Sequence, residues 1–256
     1  MSVSTDSRIP GGRSAPRGRP GPQGSLPPGG VASAALAALA TVRDPELDTP
    51  ITALGFVGSC VVSCEGRAVV RLRLPTFYCA PNFAYLMAAD AYDAVMAVPG
   101  VTAAQVILED HFASDEINAG VAAQSGFVAA FDGEAVSELG DLRSQFLRKA
   151  VMAGTHQVCR PLVDAGATPA ELVTLTLGAV PSAPELDRLR QRRAELGLPA
   201  GDDAPLLLDP QTGERIAEAS VPLHLRKARV TQASIDANTS ICSGMFKARY
   251  PDGWTL

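Results

Sequence analysis

The sequence predicts an α+β fold: a small α-β-β-α-β core over residues 31–112, then a mainly helical extension over residues 113–256 with a short β-hairpin. Three observations carry this expectation. Two apolar, β-branched runs flank the turn pair Glu65-Gly66 and read as paired strands. A helix-length segment follows, ends at Pro99-Gly100, and gives way to a third apolar run, Val101 to Leu108. Beyond residue 113 the hydrophobic period is mostly helical.

Taken in order, residues 1–30 are rich in Gly, Pro, Ser and Arg and carry no hydrophobic period, so a disordered tail is expected. Val31 to Val42 is Ala- and Leu-rich and reads as a short helix. Arg43-Asp44-Pro45-Glu46-Leu47 breaks it, because Pro disfavours helix at the residue before it. Leu54 to Val62 reads as the first strand, and Ala68 to Leu74 as its partner. Pro75 to Pro81 is a loop. Asn82 to Val98 is a helix with Phe83, Leu86, Met87 and Met96 toward the core. In the extension, Ser114 to Gln124 and Ser137 to Ala165 read as helices, with Ser114 a natural N-cap. Thr168-Pro169-Ala170-Glu171 is a helix start with a cap, an N1 proline and an acid at the third position. Glu185 to Leu196 is highly charged and reads as a solvated helix, and Leu206 to Ile216 as two short strands around Asp209-Pro210-Gln211-Thr212-Gly213. The last stretch, residues 222–256, assigns to no element.

Composition excludes several classes. Apolar residues make up 46% of the 256, enough for a core, but aromatics only 5%, so Ala, Val and Leu must fill it. A net charge of −5 argues against a general nucleic-acid footprint. No apolar run reaches the roughly 20 residues of a membrane-spanning helix, and the first 30 residues lack the apolar middle of a secretory signal. Five cysteines with no CxxC pair indicate neither a disulfide framework nor a zinc ribbon. The expectation is a reduced, cytoplasmic protein.

Cys79 is the most informative residue. It closes the loop Pro75-Thr76-Phe77-Tyr78-Cys79-Ala80-Pro81 just ahead of a helix, where free N–H groups and the positive dipole end favour thiolate and metal affinity; a small packed thiol is the alternative. Asp44 and Glu46 flank a rigid proline and can bind a metal or orient Cys79, or simply cap a turn. Glu109-Asp110-His111 with Asp115-Glu116 offers four carboxylates and one imidazole to a divalent metal, or ordinary first-turn acids. Cys60 and Cys64 share a strand face but stand roughly 13 Å apart if extended, which favours packing. His156 and Cys159 share a helical face without a second half-site, and Cys242 has no inferable role. No phosphate-binding glycine loop, nucleophile elbow or HExxH motif is present.

Together these residues resemble a known family. Val42-Arg43-Asp44-Pro45-Glu46-Leu47 followed by Ile51-Thr52-Ala53-Leu54-Gly55-Phe56-Val57 is similar to the opening of the metal–sulfur cluster biosynthesis, or iron–sulfur cluster assembly, domain family. The later landmarks come in the family's order: a hairpin over Cys60 to Leu74, a Thr76-to-Pro81 loop, a helix, then Pro99-Gly100-Val101. One departure is that Ala80 separates Cys79 from Pro81, where the family often has Cys directly before Pro. The resemblance covers about residues 31–112. It implies a non-enzymatic accessory factor in maturing iron proteins, handling iron or an iron–sulfur cluster transiently. Cys79 would be the reactive or metal-contacting thiol, Asp44, Glu46 and Thr76 its support, and His111 a further metal ligand. The longer form resembles accessory proteins of bacterial soluble diiron monooxygenase clusters, so the expected partners are a hydroxylase or iron–sulfur client, a chaperonin, and a second copy of the chain, with no nucleic acid and no membrane. Two rivals stay open: a metal-free chaperone or docking module, and a thiol-dependent enzyme pairing Cys79 with His111 or His156.

Overall fold

The computed structural model describes residues 28–131, 135 and 137–251. The tail expected over residues 1–30 lies outside these, apart from its last three positions. Helix α1 (Pro28–Leu39) presents Val31, Ala35 and Leu39 at a spacing of four residues, so one stripe is buried. The chain then folds through an Arg43–Pro50 bridge into strand β1 (Val57–Val62) and strand β2 (Arg67–Arg73). Helix α2 (Pro81–Met96) crosses over to strand β3 (Ala103–Glu109). The sheet order is β1-β2-β3, with β1 antiparallel to β2 and β2 parallel to β3. The α+β architecture expected from the sequence is thus present, and the helix between β2 and β3 is what permits their parallel pairing.

Alternation decides which faces are buried. In β2, Ala68, Val70 and Leu72 point inward while Arg67 and Arg71 are exposed. Val70 pairs with Cys60 on one side and Val106 on the other. The β1–β2 turn requires glycine at Gly66, whose φ is +80° and where a Cβ would stand 2.3 Å from the Gly100 carbonyl oxygen.

Several boundaries differ from expectation. Leu54 is not in a strand: residues 51–55 form a turn that ends at Gly55, with φ +77°. Cys64 lies in the hairpin turn, its thiol donating to Glu65 Oε1 at 2.8 Å, so it shares no strand face with Cys60. On α2, Val95 takes the buried position and Met96 is only half-buried.

The extension comprises α3 (Ser114–Ala123), α4 (Phe127–Ala130), α5 (Gly140–Asp164), α6 (Pro169–Thr174), α7 (Pro184–Glu195) and α8 (Val221–Arg249). The N-cap of α3 is Ala113 and not Ser114, and no side chain caps it. The capping box of α6 forms as its motif predicts, with Glu171 N–H donating to Thr168 Oγ1 and Thr168 N–H donating to Glu171 Oε2. Helix α7 is not simply solvated. Leu186, Leu189, Arg192 and Arg193 are buried, and Arg193 donates to the carbonyls of Pro205 and Leu206 at 2.8 and 2.6 Å. The expected hairpin reduces to a single bridge, Leu208–Arg215, around a turn. Of the unassigned stretch, residues 222–249 belong to the 29-residue helix α8, which packs along α5, and residues 252–256 lie outside the described residues.

Two apolar clusters result. The first is built on the sheet, α1 and α2, and reaches past residue 112 to take in Ile117, Val121, Phe131 and Phe246. The second gathers Val151, Cys159, Leu172, Leu189 and Leu206. Ion pairs join the two regions: Arg192 with Asp48 at 2.8 Å, and Arg143 with both carboxylate oxygens of Asp90 at 2.7 and 2.6 Å. Among the described residues, no helix is long and apolar enough to cross a membrane.

Candidate functional site

The loop between β2 and α2 carries Cys79. Pro81 opens α2 at its first turn and Ala80 is the N-cap without a side-chain cap, so Cys79 stands two residues ahead of the helix, where the Phe83 N–H donates to Asn82 Oδ1 at 2.9 Å. Thr76 organises the loop from within. Its hydroxyl accepts the Tyr78 N–H at 3.2 Å and shares a hydrogen bond with Cys79 Sγ at 3.3 Å.

His111 fastens the loop from outside. It follows β3 after Asp110, a non-glycine residue with φ +53°. Its Nε2–H donates to the Cys79 carbonyl at 2.7 Å, which leaves Nδ1 to accept the Ala113 N–H at 3.2 Å. Burial pushes its pKa down, against the raising effect of the Cys79 carbonyl, with Arg249 lowering it further. The ring is therefore neutral and both nitrogens are engaged. The expected role of His111 as a metal ligand meets this geometry: in place, it has no free lone pair, and it acts as a brace for the loop.

Asp44 and Glu46 occupy the turn after α1. Asp44 Oδ1 accepts the N–H groups of Glu46 and Leu47, each at 2.9 Å, which closes the Asp-Pro-Glu turn. Burial pushes the Asp44 carboxyl pKa up, partly offset by those two backbone donors. Glu46 Oε1 accepts from Asn238 Nδ2 at 3.3 Å, a contact that comes from α8.

Helix α8 thus closes one side of the site. Asn238, Cys242 and Phe246 recur every four residues and share a face. Asn238 meets Glu46, and Phe246 packs on Phe56 with ring centroids 5.4 Å apart. Beyond them, Arg249 donates to the Asp110 carbonyl at 2.7 Å and the Leu74 carbonyl at 3.3 Å, and the Tyr250 hydroxyl donates to Asp110 Oδ2 at 3.1 Å. The end of α8 therefore pins the strand ends that lead into the Cys79 loop and into His111. Between these anchors sits Cys242. Its thiol is pushed up to about 11, chiefly by burial, then by the charges of Asp44, Cys79 and Glu46. Helix α8 thus adds to the Asp-Pro-Glu turn a thiol whose role could not be inferred from the sequence. The signal that would have placed Cys242 is its four-residue spacing from Asn238 and Phe246, which becomes readable only once the segment is known to be helical.

Other candidates lie elsewhere. Glu109 pairs with Arg71 and Arg73, at 2.5 and 2.9 Å. Asp115 and Glu116 are in the first turn of α3, where acids complement the dipole. Cys159 is buried in the second cluster, its pKa pushed up to about 12 by burial, and His156 is on the same helix among the charges of Arg160, Arg229 and Asp236. Among the described residues, no group of three or more His, Cys, Asp or Glu side chains is placed to hold a metal ion.

The rim beside Cys79 is aromatic. Phe77, Tyr78 and Phe112 are 43%, 78% and 50% exposed. Their ring centroids lie 5.1 to 6.3 Å apart, and Phe112 also stacks on His111 at 4.9 Å. Three clustered, exposed rings in a chain with only 5% aromatics form an apolar patch directly at the Cys79 loop.

Comparison with known proteins gives one match. Residues 32–106 fit the family model described as iron–sulfur cluster assembly protein. The match spans Asp44, Glu46, Thr76 and Cys79 and ends before His111 and Cys242. No curated protein and no solved structure matches the chain.

Proposed function

We propose that this protein is a non-enzymatic accessory factor that handles iron or an iron–sulfur cluster for a client iron protein, with Cys79 as the transient ligand. The observation that carries this reading is the family match over residues 32–106, which supports a role in cluster assembly and contains the Cys79 loop and its Asp-Pro-Glu turn. The site chemistry supports it. A single thiol, held by Thr76 and by the braced loop, faces an exposed aromatic rim, so cargo is reached from the surface on which a client would dock. One soft ligand with open positions suits hand-over better than storage. Binding there requires loss of the thiol proton, so cargo affinity falls as pH falls.

The finer proposal is that the client is the hydroxylase of a soluble diiron monooxygenase, docked on the Phe77, Tyr78 and Phe112 rim and on the extension. Reconstitution tests both levels. Cys79→Ser is expected to keep its circular dichroism and melting temperature and to lose client activation. Undiminished activation by a folded Cys79→Ser variant overturns the cargo role and favours the metal-free docking reading, which the aromatic rim also suits. Affinity purification with metal analysis identifies the client: hydroxylase subunits support the diiron proposal, and cluster-scaffold proteins replace it with general iron–sulfur assembly.

A further inference from the structure

We propose that the chain's own segment of residues 10–22 docks on the aromatic rim and on the acid-edged groove beside the Cys79 loop, and so covers the face proposed for client docking. This deepens the proposed function: the consequence for a client rests on that reading of the rim, while the contact itself does not.

The groove lies between the start of α2 and the helices α3, α4 and α5, and has a volume of about 1120 Å³. Its apolar wall includes Phe112, Phe127 and Phe131, and Phe112 makes it continuous with the exposed rings of Phe77 and Tyr78. Its charged groups are Glu116, Glu138 and Asp141, and no Lys, Arg or His is among its described lining residues. Glu138 accepts the Phe127 and Val128 N–H groups at 2.9 and 3.2 Å. Glu116 and Asp141 are exposed, and among the described residues neither is held in an ion pair. The neighbouring cations are taken up elsewhere, Arg143 by Asp90 and Arg249 by the Leu74 and Asp110 carbonyls.

Exposed rings edged by such carboxylates select proline and arginine. Proline-rich chain docks in aromatic-lined grooves, and a guanidinium pairs with a carboxylate or lies over a ring. Residues 10–22 hold this chemistry in a set order. Pro10, Arg13, Pro16, Arg19 and Pro22 recur every three residues, and the segment contains no acid. A polyproline II helix has three residues per turn, so in that conformation these five form one edge of alternating proline and arginine. The segment is also within reach. Helix α1 begins at Pro28, and Val31 stands 3.1 Å from the position a Cβ would take on Gly100, at the foot of β3. Phe112 lies past the other end of that strand, whose length is about 20 Å. Arg13 and Arg19 are fifteen and nine residues ahead of Pro28, which allows up to about 46 and about 28 Å at roughly 3.1 Å per residue.

The test is trypsin cleavage after Arg13 in the full-length protein, read by mass spectrometry of the released fragment. A synthetic peptide of residues 1–27 sets the rate for undocked chain. Docking is expected to slow cleavage at least about tenfold against the peptide, because the protease acts on the released population. Glu116→Gln with Asp141→Asn, Tyr78→Ala, and Arg19→Ser should each bring the rate back toward that of the peptide. So should about 0.5 M NaCl, which screens the guanidinium–carboxylate pairs. Cleavage of the wild type at the peptide's rate overturns the inference, as does protection that survives the groove variants. Protection that fades on dilution also overturns it, and gives the groove to the segment of a second copy. Glu116, Asp141 and Tyr78 are exposed, and circular dichroism checks the fold of their variants. Should one misfold, Arg19→Ser, outside the described residues, decides. Client activation separates the two levels: protection lost in Arg19→Ser with activation unchanged leaves the contact standing and removes the rim from client docking.

Discussion

Removing the Phe246 ring should unfasten α8 from the core and uncover the site. Phe246 is 7% exposed, so nearly its whole ring is withdrawn from water. It meets Phe56 at 5.4 Å and Tyr250 at 5.0 Å between ring centroids. Truncating such a ring costs about 3–5 kcal/mol, of which each aromatic pair supplies about 0.5–1.5 kcal/mol. That is a large share of the roughly 5–15 kcal/mol that holds a domain folded. Farther up, α8 is held by Val221, His224 and Ala228, all buried, and by its packing along α5. The loss therefore falls on the last turns, those around Cys242. Phe246→Ala should lower the urea-derived stability by about 3–5 kcal/mol. It should also raise the labelling rate of Cys242 by roughly 100-fold or more, since every 1.4 kcal/mol shifts an opening equilibrium about tenfold. A Phe56→Ala, Phe246→Ala double-mutant cycle should return a coupling of about 1 kcal/mol. A loss below about 1 kcal/mol with unchanged Cys242 labelling would show that the C-terminal turns do not lean on this ring, and the account of α8 as the wall of the site would fail.

Three further outcomes follow from the structure. Gly66→Ala should cost at least about 2 kcal/mol in denaturation experiments, because the residue would be forced to hold φ +80° with its Cβ 2.3 Å from the Gly100 carbonyl oxygen; a near-neutral result would mean that the hairpin relaxes freely. Arg193→Met should destabilise by roughly 2–4 kcal/mol, since it strips the Pro205 and Leu206 carbonyls of their buried donors; a more stable variant would show that an apolar side chain fills the site better than the charge. Burial pushes the His224 pKa below its ordinary 6.5, so as pH falls the unfolded chain binds the proton first. The stability that neutral His224 contributes is therefore present above pH 6.5 and lost as pH falls below it toward the folded value. His224→Leu should flatten the fall of the urea midpoint between about pH 8 and about pH 5, and a slope as steep as wild type would refute that assignment.

Part of this molecule is written locally in its sequence. The alternation in β2, the Glu65-Gly66 turn, the proline at the start of α2 and the Thr168–Glu171 capping box are all short-range features. Each depends on backbone sterics or on hydrogen bonds between residues a few positions apart, and so each was legible without the fold. The Asp-Pro-Glu turn and the Cys79 loop were legible for the same reason. Where the reading failed, a distant partner decided. Arg192 and Arg193 look like solvated charges until Asp48 and the Pro205 and Leu206 carbonyls come round to meet them. His111 looks like a ligand until the Cys79 carbonyl and Ala113 N–H take both its nitrogens.

The sequence by itself determined the α+β core, its element order and the loop that presents Cys79. Tertiary structure alone decided that residues 221–249 form one long helix and that this helix walls the site. Its residues are a mixture of polar, β-branched and small side chains with no strong apolar stripe, so propensity and periodicity are too weak to announce it. Its stability comes from α5 and from Phe246 in a core built mostly by the other end of the chain. Contacts of that separation leave no local pattern, and so the place of Cys242 on the helix beside the Asp-Pro-Glu turn could be read only from the folded chain.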